Sequence, residues 1–506
     1  MSRSPLLPKD ATAAPEPLLP KDATAAPEPS PALLCTFSVA LVVCGVGGSS
    51  LPRAAMYAAR GDAWFKEQAW ILFAMHLGGG LVAAGAAWAL APSVRASLAG
   101  VTGRAAGVEP RWDTLKYFLT QLVAFAHFSG FCWDYAWYAA VWNFKEYFLM
   151  QAYVFVSGYL STPEPNRRRL QAIWRSLAGA YVVNQAVLML WYFIGYEYNY
   201  NLFLLAQGPG KGFNLFWEFW DPQGALWYLS NLMMWRAAAP LWMELKRPLL
   251  ASLLVVVCIN YMPSEDYDDR LDFLKISSGV AFFPYYVLGI VCRRHSAKLH
   301  AALEWRATRP AALCALASCL ALNFMNYGLQ WSVFDFYAQC GGLCDDDNRY
   351  WFTQNEANWK ASFRETYDGR ALLWAWYDVV GGLPSHLAVL FGTLAAFSVR
   401  KEPVPYVTRL GANSITNYIM HWYVLLALTY TGFWQTSRGD GFLSMDYGPW
   451  KLIAAVVLTV AQAQFWMSNA VSRLVRPIFI APDMSALLVD PRDDLPTVIP
   501  AMPERV

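Results

Sequence analysis

About twelve apolar segments, each near the ~20 residues a helix needs to cross a bilayer, recur along this chain of 506 residues. They fall at 32–49, 69–91, 114–132, 142–160, 177–195, 226–243, 249–263, 276–292, 311–330, 376–398, 412–432 and 451–470. In hydrocarbon the backbone must satisfy its own N–H and C=O groups, so segments like these fold as helices. The expected fold is therefore all-α, a polytopic transmembrane helix bundle in a lipid bilayer. Only 15% of residues are charged, where a soluble protein carries about a quarter. The net charge of +2 offers no electrostatic footprint for nucleic acid. The segment at 249–263 is the shortest, and Leu33 to Gly48 is short enough to be a signal anchor instead.

Loop charges give the expected orientation. One set of connections is basic: Arg95, Arg104 and Arg111; Arg167, Arg168, Arg169 and Arg175; Lys246 and Arg247; Arg293, Arg294, Lys298, Arg306 and Arg309; Arg400, Lys401 and Arg409; Arg473 and Arg476. The alternate set is acidic, with Glu265, Asp266, Asp268, Asp269 and Asp272, then Asp345 to Asp347, then Asp440 and Asp446. Basic connections stay in the cytosol, which places both termini there.

Residues 1–31 are rich in Pro and Ala and repeat one stretch, at 6–17 and 18–29, a composition that buries no core. The outer loop at 331–375 mixes Trp331, Phe334, Tyr350, Trp351 and Trp359 with Asp, Asn and Arg. It suits either sugar rings or a small folded cap with its own aromatic core. The nine cysteines show no metal-ligand spacing; Cys340 and Cys344 in that loop fit a disulfide if it lies outside the cytosol.

Against this apolar background two polar stripes stand out. Asp113 and Lys116 open a helix expected over Leu115 to Phe131, and His127 follows Lys116 by eleven residues, 116 to 127. Three helical turns put Lys116 and His127 on one stripe, about 16 Å apart along the axis. Ionisable groups at that depth are costly unless they face a protein interior or a wet cavity, which favours function over a structural histidine. The second stripe is Asn413, Ser414, Asn417 and His421, spaced by three and four on the penultimate apolar segment. Both histidines are expected at similar depth, roughly 14–16 Å from the basic side.

Other positions carry weaker signals. Ser157-Gly158-Tyr159 ends the fourth segment just before the arginine cluster; Gly158 permits close helix approach and Ser157 a bond across an interface. Pro284 is expected to kink its helix and free a carbonyl. Arg167, Arg168 and Arg169 offer guanidinium forks to a phosphorylated cytosolic donor, with topology the alternative explanation. His76 and His386, without polar stripes, read as structural.

Together these residues resemble the acyltransferase-3 family of integral-membrane O-acyltransferases, including its fucose-4-O-acetylase-like members. That family's acid, then Arg or Lys, ten residues and His is similar to Asp113, Lys116 and His127. Its Ser-Gly-Tyr matches Ser157-Gly158-Tyr159, its Trp-Phe/Tyr-Leu matches Trp227-Tyr228-Leu229, and its Phe-Pro-Phe/Tyr…Gly matches Phe283-Pro284-Tyr285 with Gly289. Its Leu-Gly-x-x-Ser…Tyr-x-x-His matches Leu410-Gly411, Ser414, Tyr418 and His421. The likeness runs from about 110 to 475, ten segments in order, with two additional helices at 32–92 before it and a cytosolic tail at 476–506 after it. Arg167-Arg168-Arg169 stands where the family has Arg-x-x-Arg.

The resemblance implies a multi-pass acyltransferase that takes an acyl group, acetyl in the first instance, from cytosolic acyl-CoA to a hydroxyl of a lumenal or extracellular carbohydrate, without a metal. His127 is then expected as general base or transient acyl acceptor. Lys116, oriented by Asp113, is expected at the donor's phosphates or thioester, and His421 with Asn417 and Ser414 at the acceptor hydroxyl or carbonyl. Ser157, Tyr159 and the three arginines are expected to contact substrate. The rival expectation is a secondary transporter, to which twelve helices with polar groups at the midplane also answer.

Overall fold

The computed structural model describes residues 28–59, 63–101, 110–129, 141, 144–145, 147–161, 173, 177–198, 220, 222–261, 274, 276–325, 371–397, 403–430, 448–480 and 482. Among the described residues the fold is all-α, without strands. A helix lies on each apolar segment: α1 (Pro31–Ala59), α2 (Ala63–Leu98), α3 (Pro110–Phe128), α4 (Leu149–Tyr159), α5 (Gly179–Tyr198), α6 (Trp227–Trp242), α7 (Pro248–Tyr261) and α8 (Ile276–Arg294). The series continues with α9 (Ser296–Glu304), α10 (Thr308–Asn323), α11 (Ala371–Phe397), α12 (Pro405–Gly411), α13 (Ser414–Tyr430), α14 (Gly448–Met467) and α15 (Asn469–Val475). The short helices α9, α12 and α15 were not expected; they occupy basic connections too polar to register in a hydropathy pattern. The tandem repeat, the outer loop with Cys340 and Cys344, the acidic connections and Arg167 to Arg169 lie outside the described residues.

By length and composition, two helices among the described residues qualify as membrane spans, over Pro31–Gly48 and Ala69–Leu98, or three if α14 and the bent segment after it count as one. One face of α2 turns large apolar side chains outward: Trp70 is 72% exposed and Trp88 83%, with Leu77, Leu81 and Val82 between them, while Leu72 and Leu90 are buried. Surface of that kind marks contact with lipid or protein.

Local chemistry accounts for the helix limits. Pro110 opens α3, Pro248 opens α7 and Pro405 opens α12, each at a position where a missing N–H and a preset φ fit the first turn. At the other end of α3, Ser129 Oγ bonds back to the carbonyl of Phe125 at 2.5 Å. The helix therefore starts and stops earlier than the expected Leu115 to Phe131, and His127 sits in its last turn rather than mid-helix. Pro284 lies inside the helix Ile276–Arg294, where a kink is expected. Ser468 caps α15 by accepting from the N–H of Val471 at 3.3 Å, and there the chain turns by 69°. Beyond α15, Arg476–Ile480 forms a π-helical turn, and the carbonyl of Phe479 accepts a 2.7 Å bond from Asn184 of α5. The start of the expected cytosolic tail is thus packed into the bundle.

Helices α4 and α8 make a close approach. A Cβ on Gly158 would run into the backbone of Tyr286, and one on Gly289 into the backbone of Phe155. Each glycine clears the way for the other helix. Helix α1 packs along α2, α10 and α11, so the amino-terminal pair is part of the same bundle. Histidines 76 and 386 serve there as packing groups: His76 Nδ1 lies 2.8 Å from the Cys44 carbonyl, and His386 Nδ1 lies 3.1 Å from the Tyr147 carbonyl and 3.3 Å from Gln151 Nε2.

Candidate active site

Helix α3 places a sequence of polar groups along one side. Near its start Lys116 Nζ meets Asp113 Oδ1 at 2.7 Å, both side chains about one-fifth exposed (22% and 23%). An acid at this end also suits the helix dipole. Thr408 of α12 holds the same end through a 2.8 Å bond to Thr114. Further along, Thr120, fully buried, bonds to the hydroxyl of Tyr153 on α4 at 3.1 Å. Tyr153 packs against Tyr228 and Tyr418, with ring centroids 5.1 Å and 5.4 Å away.

At the far end of α3 the two polar stripes converge. The rings of His127 and His421 stack with centroids 5.3 Å apart and planes 27° off parallel. The indole of Trp422 stands edge-on to His127, 5.0 Å away at 88°. Helix α13 brings Ser414, Asn417 and His421 inward together, all buried. A four-residue step keeps Asn417 and His421 on one face, and His421 Nδ1 bonds to the Asn417 carbonyl at 3.1 Å. Both atoms of the Asn417 amide, His421 Nε2 and Trp422 Nε1 are buried without a hydrogen-bond partner among the described residues. Buried polar atoms normally have partners, so these four are the candidate contacts for a polar ligand.

Asn413 does not join this group. It lies in the turn before α13, and its amide donates to the Met467 carbonyl and to Asn469 Oδ1, each at 3.0 Å, fastening the break between α14 and α15. Lys116 and Asp113 stay at the opposite end of α3; the helical rise puts Lys116 about 16 Å from His127 along the axis. Ser157 also lies elsewhere, bonded to the hydroxyl of Tyr228. The Tyr159 hydroxyl bonds to His300 Nε2 of α9 at 2.9 Å, and its ring packs on Trp112 at 4.4 Å. Trp112 precedes His127 on α3 by about 22 Å of helix, so Tyr159 belongs to a separate cluster beside the basic connections. Arg111, 2% exposed, completes that cluster with Glu304 at 3.3 Å, and Arg293 donates to the Tyr159 carbonyl at 3.1 Å. Arg167, Arg168 and Arg169 lie outside the described residues.

Sequence reasoning missed Trp422 and the turn that seats it. Gly224, at φ +54°, opens a 3₁₀ turn (Gly224–Leu226) that presses on the Trp422 indole. The Ala225 carbonyl in that turn accepts a 3.0 Å bond from the Tyr418 hydroxyl. A tryptophan beside a histidine in an apolar helix looks like core; only contact with His127 marks it out. Asp113→Asn, which breaks one partly exposed ion pair, is expected to lower stability by less than about 1 kcal/mol, checked by thermal unfolding in detergent.

Compared with protein-family models, with curated proteins and with solved structures, the chain matches none.

Proposed function

We propose that the chain is a polytopic membrane O-acyltransferase of about twelve spanning helices, with both termini in the cytosol. It moves an acyl group, acetyl in the first instance, from cytosolic acyl-CoA to a hydroxyl of a lumenal or extracellular carbohydrate. The observation that carries this reading is the stacked His127–His421 pair with the open polar atoms of Asn417, His421 and Trp422 around it. Two imidazoles beside amide and indole donors provide what acyl transfer between a thioester and an alcohol requires: a proton acceptor and groups that meet charge on a carbonyl oxygen.

Further support comes from how the motif residues pair. Ser157 meets Tyr228, Gly158 meets Tyr286 near Gly289, and Tyr418 meets the turn before Trp227. Motif residues distant in the chain thus meet across helices at these three contacts, while Lys116 and Tyr159 lie apart from the histidine pair. The outward apolar face of α2 suits lipid. In the proposed orientation Lys116 and Arg293 stand at the cytosolic side, where the phosphates of an acyl-CoA would enter, and the histidines lie deeper. Lys116→Ala is expected to raise KM for acetyl-CoA about tenfold with kcat little changed, since it removes one charge–phosphate contact of about 1.4 kcal/mol. Initial rates at varied acetyl-CoA check it.

The deciding experiment uses sealed membranes that hold the full-length protein. Acetyl-labelled acetyl-CoA is supplied on the cytosolic side and label is counted in lumenal glycan. Label that depends on the protein and on both histidines supports the reading. No label above membranes lacking the protein, together with solute uptake driven by an ion gradient, would replace it with transport.

A further inference from the structure

His421 Nδ1 lies 3.1 Å from the Asn417 carbonyl oxygen. A carbonyl oxygen only accepts, so Nδ1 donates and carries the ring proton of neutral His421. The lone pair is then on Nε2, which is fully buried and has no partner among the described residues. One helical turn earlier, the Asn417 side-chain amide is equally buried, and neither its oxygen nor its nitrogen is bonded among the described residues. An unmet buried polar group is costly, and folding tolerates it where a ligand supplies the missing bond. The two residues face the same side of α13, so they offer one ligand a strong acceptor next to an amide donor. His127 differs: its ring is held by stacking on His421 and by the edge of Trp422.

We propose, on the basis of the acyl-transfer reading above, that His421 rather than His127 is the general base, acting through Nε2, and that the Asn417 amide donates to the acyl carbonyl oxygen. The acceptor hydroxyl oxygen bonds to the carbonyl carbon of the acyl-CoA as its proton passes to Nε2. The negative charge gathering on the carbonyl oxygen meets the Asn417 N–H. Collapse breaks the C–S bond, and the CoA thiolate leaves and takes the proton from the imidazolium. Ester and CoA thiol are the products, and His421 returns to its starting tautomer. The ligand class is thus an alcohol beside a thioester carbonyl.

The test has two arms on full-length protein. In lipid nanodiscs, ¹⁵N-histidine NMR of the wild type and His421→Asn identifies the His421 signals among the six histidines; the proton is expected on Nδ1, and a proton on Nε2 would overturn the assignment. The asparagine variant keeps a donor near the Nδ1 position, so the bond to the Asn417 carbonyl survives while Nε2 is lost. In sealed membranes this variant is expected to lose glycan acetylation by at least about 100-fold. Transfer to added hydroxylamine, an amine that attacks without a base at neutral pH, should fall less than about tenfold. Equal loss with both acceptors, or none with glycan, would sink the assignment. A wild-type protein that transfers to neither acceptor overturns the acyl-transfer reading and this assignment with it. If His421→Asn fails to fold, the wild-type spectrum with a His127→Asn reference decides.

Discussion

His127→Ala is expected to lower acyl transfer by about 10²-fold, the loss that misplacing a catalytic group by about 1 Å brings, because His127 positions the His421 ring. The variant deletes the ring stacked on His421 and leaves the Trp422 edge without its partner. His127 is only part-buried at the end of α3, so the bundle has little reason to collapse around the gap. Yield and monodispersity should therefore stay near wild type while labelled glycan disappears. His386→Ala is the matched control. That histidine is bonded to the Tyr147 carbonyl and to Gln151, so its loss should reduce thermal stability and leave the rate per folded molecule within about threefold, a surface-like effect on ΔG‡ of under about 1 kcal/mol. If His127→Ala instead lowers yield as much as activity, the histidine pair is structural and the acyl-transfer reading loses its main support.

Gly158→Val is expected to have the largest effect on folding. The added side chain would meet the Tyr286 backbone, and a backbone cannot swing aside as a flexible side chain can. Helices α4 and α8 would have to separate along the contact that Gly158 and Gly289 create. Overpacking of this kind costs about 1–3 kcal/mol or more. Separation would also disturb the bond of Tyr286 to Ser161 (2.8 Å) and of Arg293 to the Tyr159 carbonyl (3.1 Å). The measurement is the fraction of monodisperse protein after extraction, together with its thermal midpoint. A midpoint within a few degrees of wild type would mean that close apposition of α4 and α8 contributes little to stability. Gly85→Ala on α2, where a Cβ meets nothing, is the neutral comparison.

The chain's pattern of apolar segments was enough to locate the helices, because helix formation in such segments is local: each residue bonds to one four positions away. For the same reason the pairing of Asp113 with Lys116, three residues apart, was legible in advance. So was the inward face shared by Asn417 and His421, since a step of four returns to the same side of a helix. Breaks in basic stretches were not legible, and α9, α12 and α15 appeared only in the structure, where capping and packing hold short polar helices that hydropathy does not mark. Asn413 shows the limit of periodicity. It has the spacing of the polar stripe, yet it sits one residue before α13 begins, and its side chain turns away to Met467 and Asn469.

Which polar residues meet was a question of contacts between distant segments, and helical period has no bearing on it. Only the tertiary structure set His127 against His421, and Trp422 against both His127 and the Gly224 turn. It also moved Tyr159 away from the histidines to His300. The sequence by itself determined the long apolar helices and the face that Asn417 and His421 share, because those follow from bonds within one helix. The structure decided the site, because that depends on which faces pack together.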